Sequence, residues 1–233
     1  MKHSLFAIFA LAATTVFAVE PAAQYDFDEK TGLPETALGG KGKIEFIDGV
    51  KGKAIKMADN TLTIPCPEGF NGEKGAIAIW IKPINWDNNT KEFISFLVSE
   101  NSAAGNRMHL YKYQNPGGLG LTYWYGSLKN DKLKTVVAFR DAKYKKGEWF
   151  LYVMTWNKAN GLTSLYFNGK RMTGSRAAKE IFFKEMGNFI LNPIAFNPSN
   201  RANETAYDLV RFYNEPLSTA DIEKMYNTEK PQK

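Results

Sequence analysis

Short blocks of apolar residues, many of them β-branched or aromatic, recur along most of this chain at spacings that suit strands. "IAIWIKPI" (77–84), "EFISFLVS" (92–99), "MHLYKY" (108–113) and "LGLTYWYG" (119–126) are four of them. "KTVVAFR" (134–140), "WFLYVMTWN" (149–157) and "TSLYFNGKRM" (163–172) continue the series. Each is bounded by Gly, Pro, Asn or Asp, the residues that permit tight turns. In "TSLYFNG" the alternation predicts Leu165 and Phe167 on one face and Ser164 and Tyr166 on the other. "KGKIEFIDG" (41–49) and "KGKAIKMAD" (51–59) read as neighbouring strands with a turn at Asp48-Gly49, not as a repeat array.

Many short strands without long helical patterns predict an all-β antiparallel sandwich. One helix is predicted near the end. Ser218 caps it, Asp221 returns the capping bond, and Ile222, Met225 and Tyr226 recur at helical spacing. The expected organisation is a leader over 1–18, one domain over 19–226 and a polar tail over 227–233.

The leader reading rests on the first residues. Lys2 precedes an uncharged apolar run from Leu5 to Ala13, and Val16-Phe17-Ala18 suits signal-peptidase cleavage after Ala18. The run is shorter than the roughly 20 residues a membrane helix needs. The expected location is therefore secreted, periplasmic or cell-surface. A formal charge of +6 over 233 residues is a moderate basic excess, with the basic side chains scattered. That argues against nucleic acid and leaves an acidic polysaccharide open as a partner. Cys66 is the only cysteine, which excludes an internal disulfide and a thiolate metal cluster.

The order of segments carries a resemblance. "YDFDEKTG" (25–32) is followed by "GVKGKAIKM" (49–57), "LTIP" (62–65) and "GAIAIWIKP" (75–83). "GEWFLYVMTWN" (147–157), "SLYFNGKRM" (164–172) and "YDLVRFYNEPLSTADIEKMY" (207–226) complete it. The series resembles the laminin G-like, concanavalin A-like lectin/glucanase family. The resemblance implies a two-sheet antiparallel jelly-roll sandwich with a short C-terminal helix. It does not imply one activity, since such folds host binding modules, hydrolases, lyases and structural domains.

Catalytic patterns are sparse. Retaining glycosidases need two carboxyl groups about 5–5.5 Å apart, and no Glu-x-Asp-x-x-Glu occurs here. There is no Gly-x-Ser-x-Gly elbow either, and beyond the leader His109 is the only histidine. A lyase-type grouping of Tyr111 or Tyr113 with His109 and Arg107 has the right residue types, but surface residues on an alternating strand explain it better. Zinc is disfavoured by the shortage of His and Cys. The resemblance makes structural calcium the cofactor to consider, held between first and last strands by Asp28 and Asp208, with Asp26 and Glu29 weaker candidates. The alternative is that Asp208 bonds backbone groups where the last strand joins the sheet.

The segment "NRMHLYKYQNPGGLGLTYWYGS" (106–127) is the strongest binding candidate. A hairpin over Gln114–Gly117 pairs Tyr113 with Gly118. Leu110 then opposes Leu121 and Met108 opposes Tyr123 on an apolar inner face. Arg107, His109, Tyr111, Tyr113 and Trp124 fall on the outer face. Rings beside polar donors suit a sugar, whose C–H face stacks while its hydroxyls take hydrogen bonds. The competing reading is a second small core covered by loops or by the helix. Trp86, on a loop, is a further candidate contact, whereas Trp80, Trp149 and Trp156 are assigned to the sandwich interior. The expected function is a non-catalytic carbohydrate-binding or surface-recognition module. Its partner is a polysaccharide or glycoconjugate, or alternatively another surface protein.

Overall fold

The computed structural model describes residues 19–28, 38–42, 44–101, 106–114, 118–124, 134–176, 185–195, 200 and 202–232; the side chains of 38, 120–124, 134–136 and 175–176 are excepted. The leader segment lies outside the described residues. The first strands are β1 (Ala23–Tyr25), β2 (Leu38–Gly40), β3 (Glu45–Asp48), β4 (Lys53–Met57) and β5 (Asn60–Ile64). Next come β6 (Lys74–Pro83), β7 (Ile94–Asn101), β8 (Asn106–Lys112), β9 (Leu119–Trp124) and β10 (Lys134–Phe139). β11 (Phe150–Asn157), β12 (Leu162–Phe167), β13 (Lys170–Arg176), β14 (Phe189–Leu191) and β15 (Thr205–Tyr213) follow, then the helix α1 (Thr219–Glu229).

Two sheets result. One runs β13-β12-β11-β6-β15-β4-β3, with β1 also paired to β15; the other runs β10-β9-β8-β7-β14-β5-β2. All the strand pairs are antiparallel. The expected all-β sandwich with a C-terminal helix is what the chain forms.

Burial explains the near-continuous apolar runs of the central strands, because both faces of the larger sheet are covered. Ile77, Ile79 and Ile81 of β6 and Phe150, Tyr152, Met154 and Trp156 of β11 point between the sheets, where they meet Leu97, Leu110 and Phe189. Their neighbours Ala76, Ala78, Trp80, Leu151 and Val153 point the other way and pack with Leu217, Ile222 and Met225 around α1. Trp80 is thus buried as expected, but under the helix and not between the sheets. It stacks on Tyr226 at 5.9 Å and its indole N–H donates to Glu229 at 2.8 Å. Trp149 is only half-buried, also on that outer side. Trp156 alone of the three faces the shared core.

The helix follows its sequence signals. Ser218 Oγ accepts from the Asp221 N–H at 3.1 Å, and Asp221 Oδ2 accepts from the Ser218 N–H at 3.3 Å. It extends to Glu229, past the domain boundary expected at Tyr226.

One expected strand divides. "TSLYFNGKRM" is two strands, β12 and β13, joined at Asn168-Gly169, with Phe167 opposite Lys170. Both turn residues have positive φ, 49° and 80°. A two-residue hairpin of this twist requires that, and Asn-Gly supplies it at least cost. Leu165 and Phe167 still share the inner face, with Tyr166 on the outer one.

Candidate functional site

The β8–β9 hairpin has the predicted register. Arg107 pairs with Trp124, Met108 with Tyr123, His109 with Thr122, Leu110 with Leu121 and Tyr111 with Gly120. The Tyr113 N–H donates to Gly118 O at 3.0 Å. Met108 and Leu110 enter the core with no exposed surface, which fixes that register, since a slip of one residue would expose them.

The outer face of β8 differs from expectation. His109 and Tyr111 lie on it as predicted, yet retain only 8% and 4% of their exposure. Phe93, just before β7, supplies part of the cover. Its ring stacks on Tyr111 at 4.7 Å and meets His109 edge-on at 5.6 Å. Tyr113 closes the row, 4.9 Å from the Tyr111 ring, and the Tyr111 hydroxyl donates to its hydroxyl at 3.0 Å. Phe93, His109, Tyr111 and Tyr113 form one contiguous aromatic group, with Tyr111 at its buried centre. Phe93, Tyr113 and Arg107 remain half-exposed and form its rim.

Position and charge of these groups follow from local structure. β7 bulges between Ser95 and Leu97, so Phe96 and Leu97 both reach the core while Ser95 stays beneath His109. Asn200 secures the bulge: its amide donates to Ser95 O at 2.6 Å, and its carbonyl accepts from the Ser95 N–H at 3.1 Å. Ser95 Oγ in turn lies 2.9 Å from His109 Nε2. Burial, and then the nearby Arg107 charge, push the His109 imidazole down to about 3, so it is neutral at any ordinary pH. That removes His109 as a cationic sugar or phosphate ligand and as a general acid. Arg107 is itself held by Glu100, with Nε and Nη2 at 2.8 and 2.5 Å from Oε2. Trp124 sits opposite Arg107 by register, and its side chain lies outside the described residues.

Trp86 is not a surface contact. It is 2% exposed, its indole N–H donates to Thr205 Oγ1 at 2.9 Å, and its ring packs against Phe96 and Tyr144. An indole with an internal hydrogen-bond partner gains more from burial than from a place on the loop surface.

Asp28 and Asp208 are brought to the same turn. β1 pairs with β15, as the first-strand and last-strand reading requires. Asp208 is fully buried, and its Oδ2 accepts from the N–H groups of Val50 and Lys51 at 2.7 and 3.2 Å. Its Oδ1 accepts from its neighbour Leu209 at 2.7 Å, a residue held at φ 46°. Asp28 Oδ1 accepts from the Lys53 N–H at 2.7 Å. Together the two carboxylates fasten the β3–β4 turn to the sheet. Burial, reinforced by the Asp28 charge and opposed by the three N–H donors, pushes the Asp208 carboxyl up to about 7. Calcium demands six to eight oxygen ligands. Here the carboxylate oxygens are met by peptide N–H groups, and among the described residues no third acidic, His or Cys side chain joins them. These bonds are the ones the backbone-bonding reading of Asp208 expects; Glu29, a weaker calcium candidate, lies outside the described residues.

Two antiparallel sheets packed face to face, with a helix across one outer face and a ring cluster on the other, define a lectin-like β-sandwich. The sequence profile of the concanavalin A-like lectin/glucanases superfamily matches residues 56–223, and the chain belongs to that superfamily. No curated protein sequence matches. Among solved structures, the receptor binding domain of the botulinum neurotoxin C/D mosaic serotype is similar at TM-score 0.67 and 13% identity, over 92% of this chain and 52% of that one. The serotype D ligand binding domain in complex with N-acetylneuraminic acid has TM-score 0.63 at 13% identity, over 82% of this chain and 46% of that one. The binding domain of Paraclostridial Mosquitocidal Protein 1 has TM-score 0.59 at 16% identity, over 82% and 47% respectively. The chain therefore spans about half the length of these structures. Among the described residues, no helix is long and apolar enough to cross a membrane.

The residue that sequence reasoning missed is Phe93. Its position in "EFISFLVS" marked it as a strand residue, but the bulge that turns it outward leaves no signal in the alternation.

Proposed function

We propose that this protein is an exported, non-catalytic carbohydrate-binding module that engages a glycan through the outer face of β8. The observation that carries the reading is the contiguous aromatic group of Phe93, His109, Tyr111 and Tyr113 on the outer face of β8, with Phe93 and Tyr113 half-exposed at its rim. The rim supplies sugar-binding chemistry: the half-exposed rings of Phe93 and Tyr113 stack on pyranose C–H faces, and Arg107 donates to hydroxyl or carboxylate groups. His109 and Tyr111 set the rim's position and make no ligand contact. Trp124, opposite Arg107 by register, is a further candidate contact, and the leader directs the chain out of the cell. The similar solved structures support a recognition role, since they are receptor or ligand binding domains and one is in complex with N-acetylneuraminic acid.

A glycan array with matched melting curves tests the reading. Phe93→Ala, Tyr113→Ala and Trp124→Ala should each abolish glycan retention while the protein stays folded. Normal retention by all three variants refutes the platform. Retention that free oligosaccharide does not compete would assign the same face to another surface protein.

A further inference from the structure

The end of α1 and the start of β11 enclose a cleft of about 880 Å³ on the outer side of the larger sheet, away from the β8 face. Its size falls within the roughly 300–1,000 Å³ typical of small-molecule sites. Trp80 forms part of the lining, locked by its stack on Tyr226 and its bond to Glu229. Glu229 is itself tied to Arg211 at 2.8 Å, so the helix end and the sheet form one rigid frame. Trp149 also lines the cleft and is half-buried, with Lys82 Nζ 5.6 Å from its ring centroid.

The polar lining is mixed in character. Asn168 spends its side-chain oxygen on the Leu151 N–H at 2.9 Å, which leaves its amide N–H₂ as a donor. The last turn of α1 supplies acceptors. A helix leaves its final carbonyls without internal partners. The Lys230 N–H satisfies Tyr226 O at 2.9 Å. The next donor would come from residue 231, which is proline and has none, so the Asn227 carbonyl has no helical partner. Glu148 and Lys230 are the charged side chains of the lining, one of each sign, and Glu148 pairs with Lys145 at 3.6 Å.

An aromatic wall, neutral charge balance, and donors and acceptors on a rigid frame together specify an uncharged polyhydroxylated ring. We propose that this cleft is a second glycan-binding site that takes a neutral pyranose unit. Trp149 stacks on the sugar, Asn168 donates to its hydroxyls, and Glu148 and the Asn227 carbonyl accept from them. The site stands independently of the β8 face. With both sites in use, the module grips a polymeric glycan at two points on opposite sides, which raises retention on polymer without a new contact.

Isothermal titration calorimetry of the full chain tests this, using neutral gluco-, xylo-, manno- and chito-oligosaccharides beside an oligogalacturonate. Trp149→Ala should weaken binding of a neutral oligosaccharide roughly tenfold or more, as loss of an aromatic anchor does. Lys41→Ala, at an exposed position after β2 and in neither site, should leave that binding intact. Should Trp149→Ala fail to fold, Trp149→Phe and Glu148→Ala replace it, each expected to weaken binding several-fold. Unchanged affinity in the folded cleft variants overturns the proposal. So does binding by the acidic oligosaccharide alone, or by no member of the panel. Neutral-sugar binding lost in Tyr113→Ala but kept in Trp149→Ala assigns recognition to the β8 face only, and loss of the β8 site alone leaves the cleft standing.

Discussion

Replacing Asp208 with asparagine should make stability rise with pH where the wild type is nearly flat, because two buried groups titrate against each other. Asp208 is raised from 3.8 to about 7 in the folded chain, so between those values the folded state holds a proton that the unfolded state has released. Its contribution is greatest below 3.8 and is lost as pH rises through about 7. His109 behaves oppositely. It is lowered from 6.5 to about 3, so in that window the unfolded chain binds the proton and the folded chain does not. Stability from a neutral His109 is present above 6.5 and is lost as pH falls toward 3. At about 1.4 kcal/mol per pH unit, the two spans are worth at most about 4 and about 5 kcal/mol. From about pH 4 to pH 6.5 they nearly cancel, and the wild-type profile should be shallow there. Asp208→Asn removes one partner, so its stability should climb with pH over that interval. His109→Gln removes the other and should make stability fall toward neutral pH. Urea unfolding followed by tryptophan fluorescence, at steps across this range, reads all three curves. Asp208→Asn and wild-type curves that run parallel throughout would refute the reasoning.

Three further outcomes follow from packing and hydrogen bonding. Trp86→Ala should cost about 3–5 kcal/mol in chemical denaturation, since it opens a cavity between Phe96 and Tyr144 and strands Thr205. Lys112 is fully buried and donates to the carbonyls of Thr90, Glu92 and Tyr113, so Lys112→Ala should cost about 3 kcal/mol and loosen the segment before β7. A calcium chelator should leave the melting temperature unchanged, because Asp28 and Asp208 are satisfied by peptide N–H groups; a clear fall would reinstate a cation there.

Local pattern decided what could be foreseen. The β8–β9 register was legible because Met108, Leu110 and Leu121 alternate with polar or small residues, and burial forbids a slip. The helix cap was legible because Ser218 and Asp221 carry the whole signal within four residues. The Asn168-Gly169 turn was equally visible in its chemistry, but the apolar run on either side concealed it. The site was less legible. Alternation showed that His109 and Tyr111 leave the core face, yet not that Phe93 would fold over them, because that depends on a bulge secured by Asn200 from far along the chain. Trp80, Trp149 and Trp156 look alike in sequence, and only the docking of α1 separates Trp80, fully buried under the helix, from Trp149, half-buried at the cleft.

The place of β15 has a kinetic consequence. It lies inside the larger sheet between β6 and β4, and it also carries β1. Until residues 205–213 are available, β6 presents an unpaired apolar edge and β4 has no bridge to it. Closure must therefore wait for nearly the whole chain, and contacts between such distant segments form slowly. A chain cut short before Thr205 should not populate a smaller stable sandwich. It should stay open at that edge, where a holding chaperone would bind it or a second copy would aggregate with it.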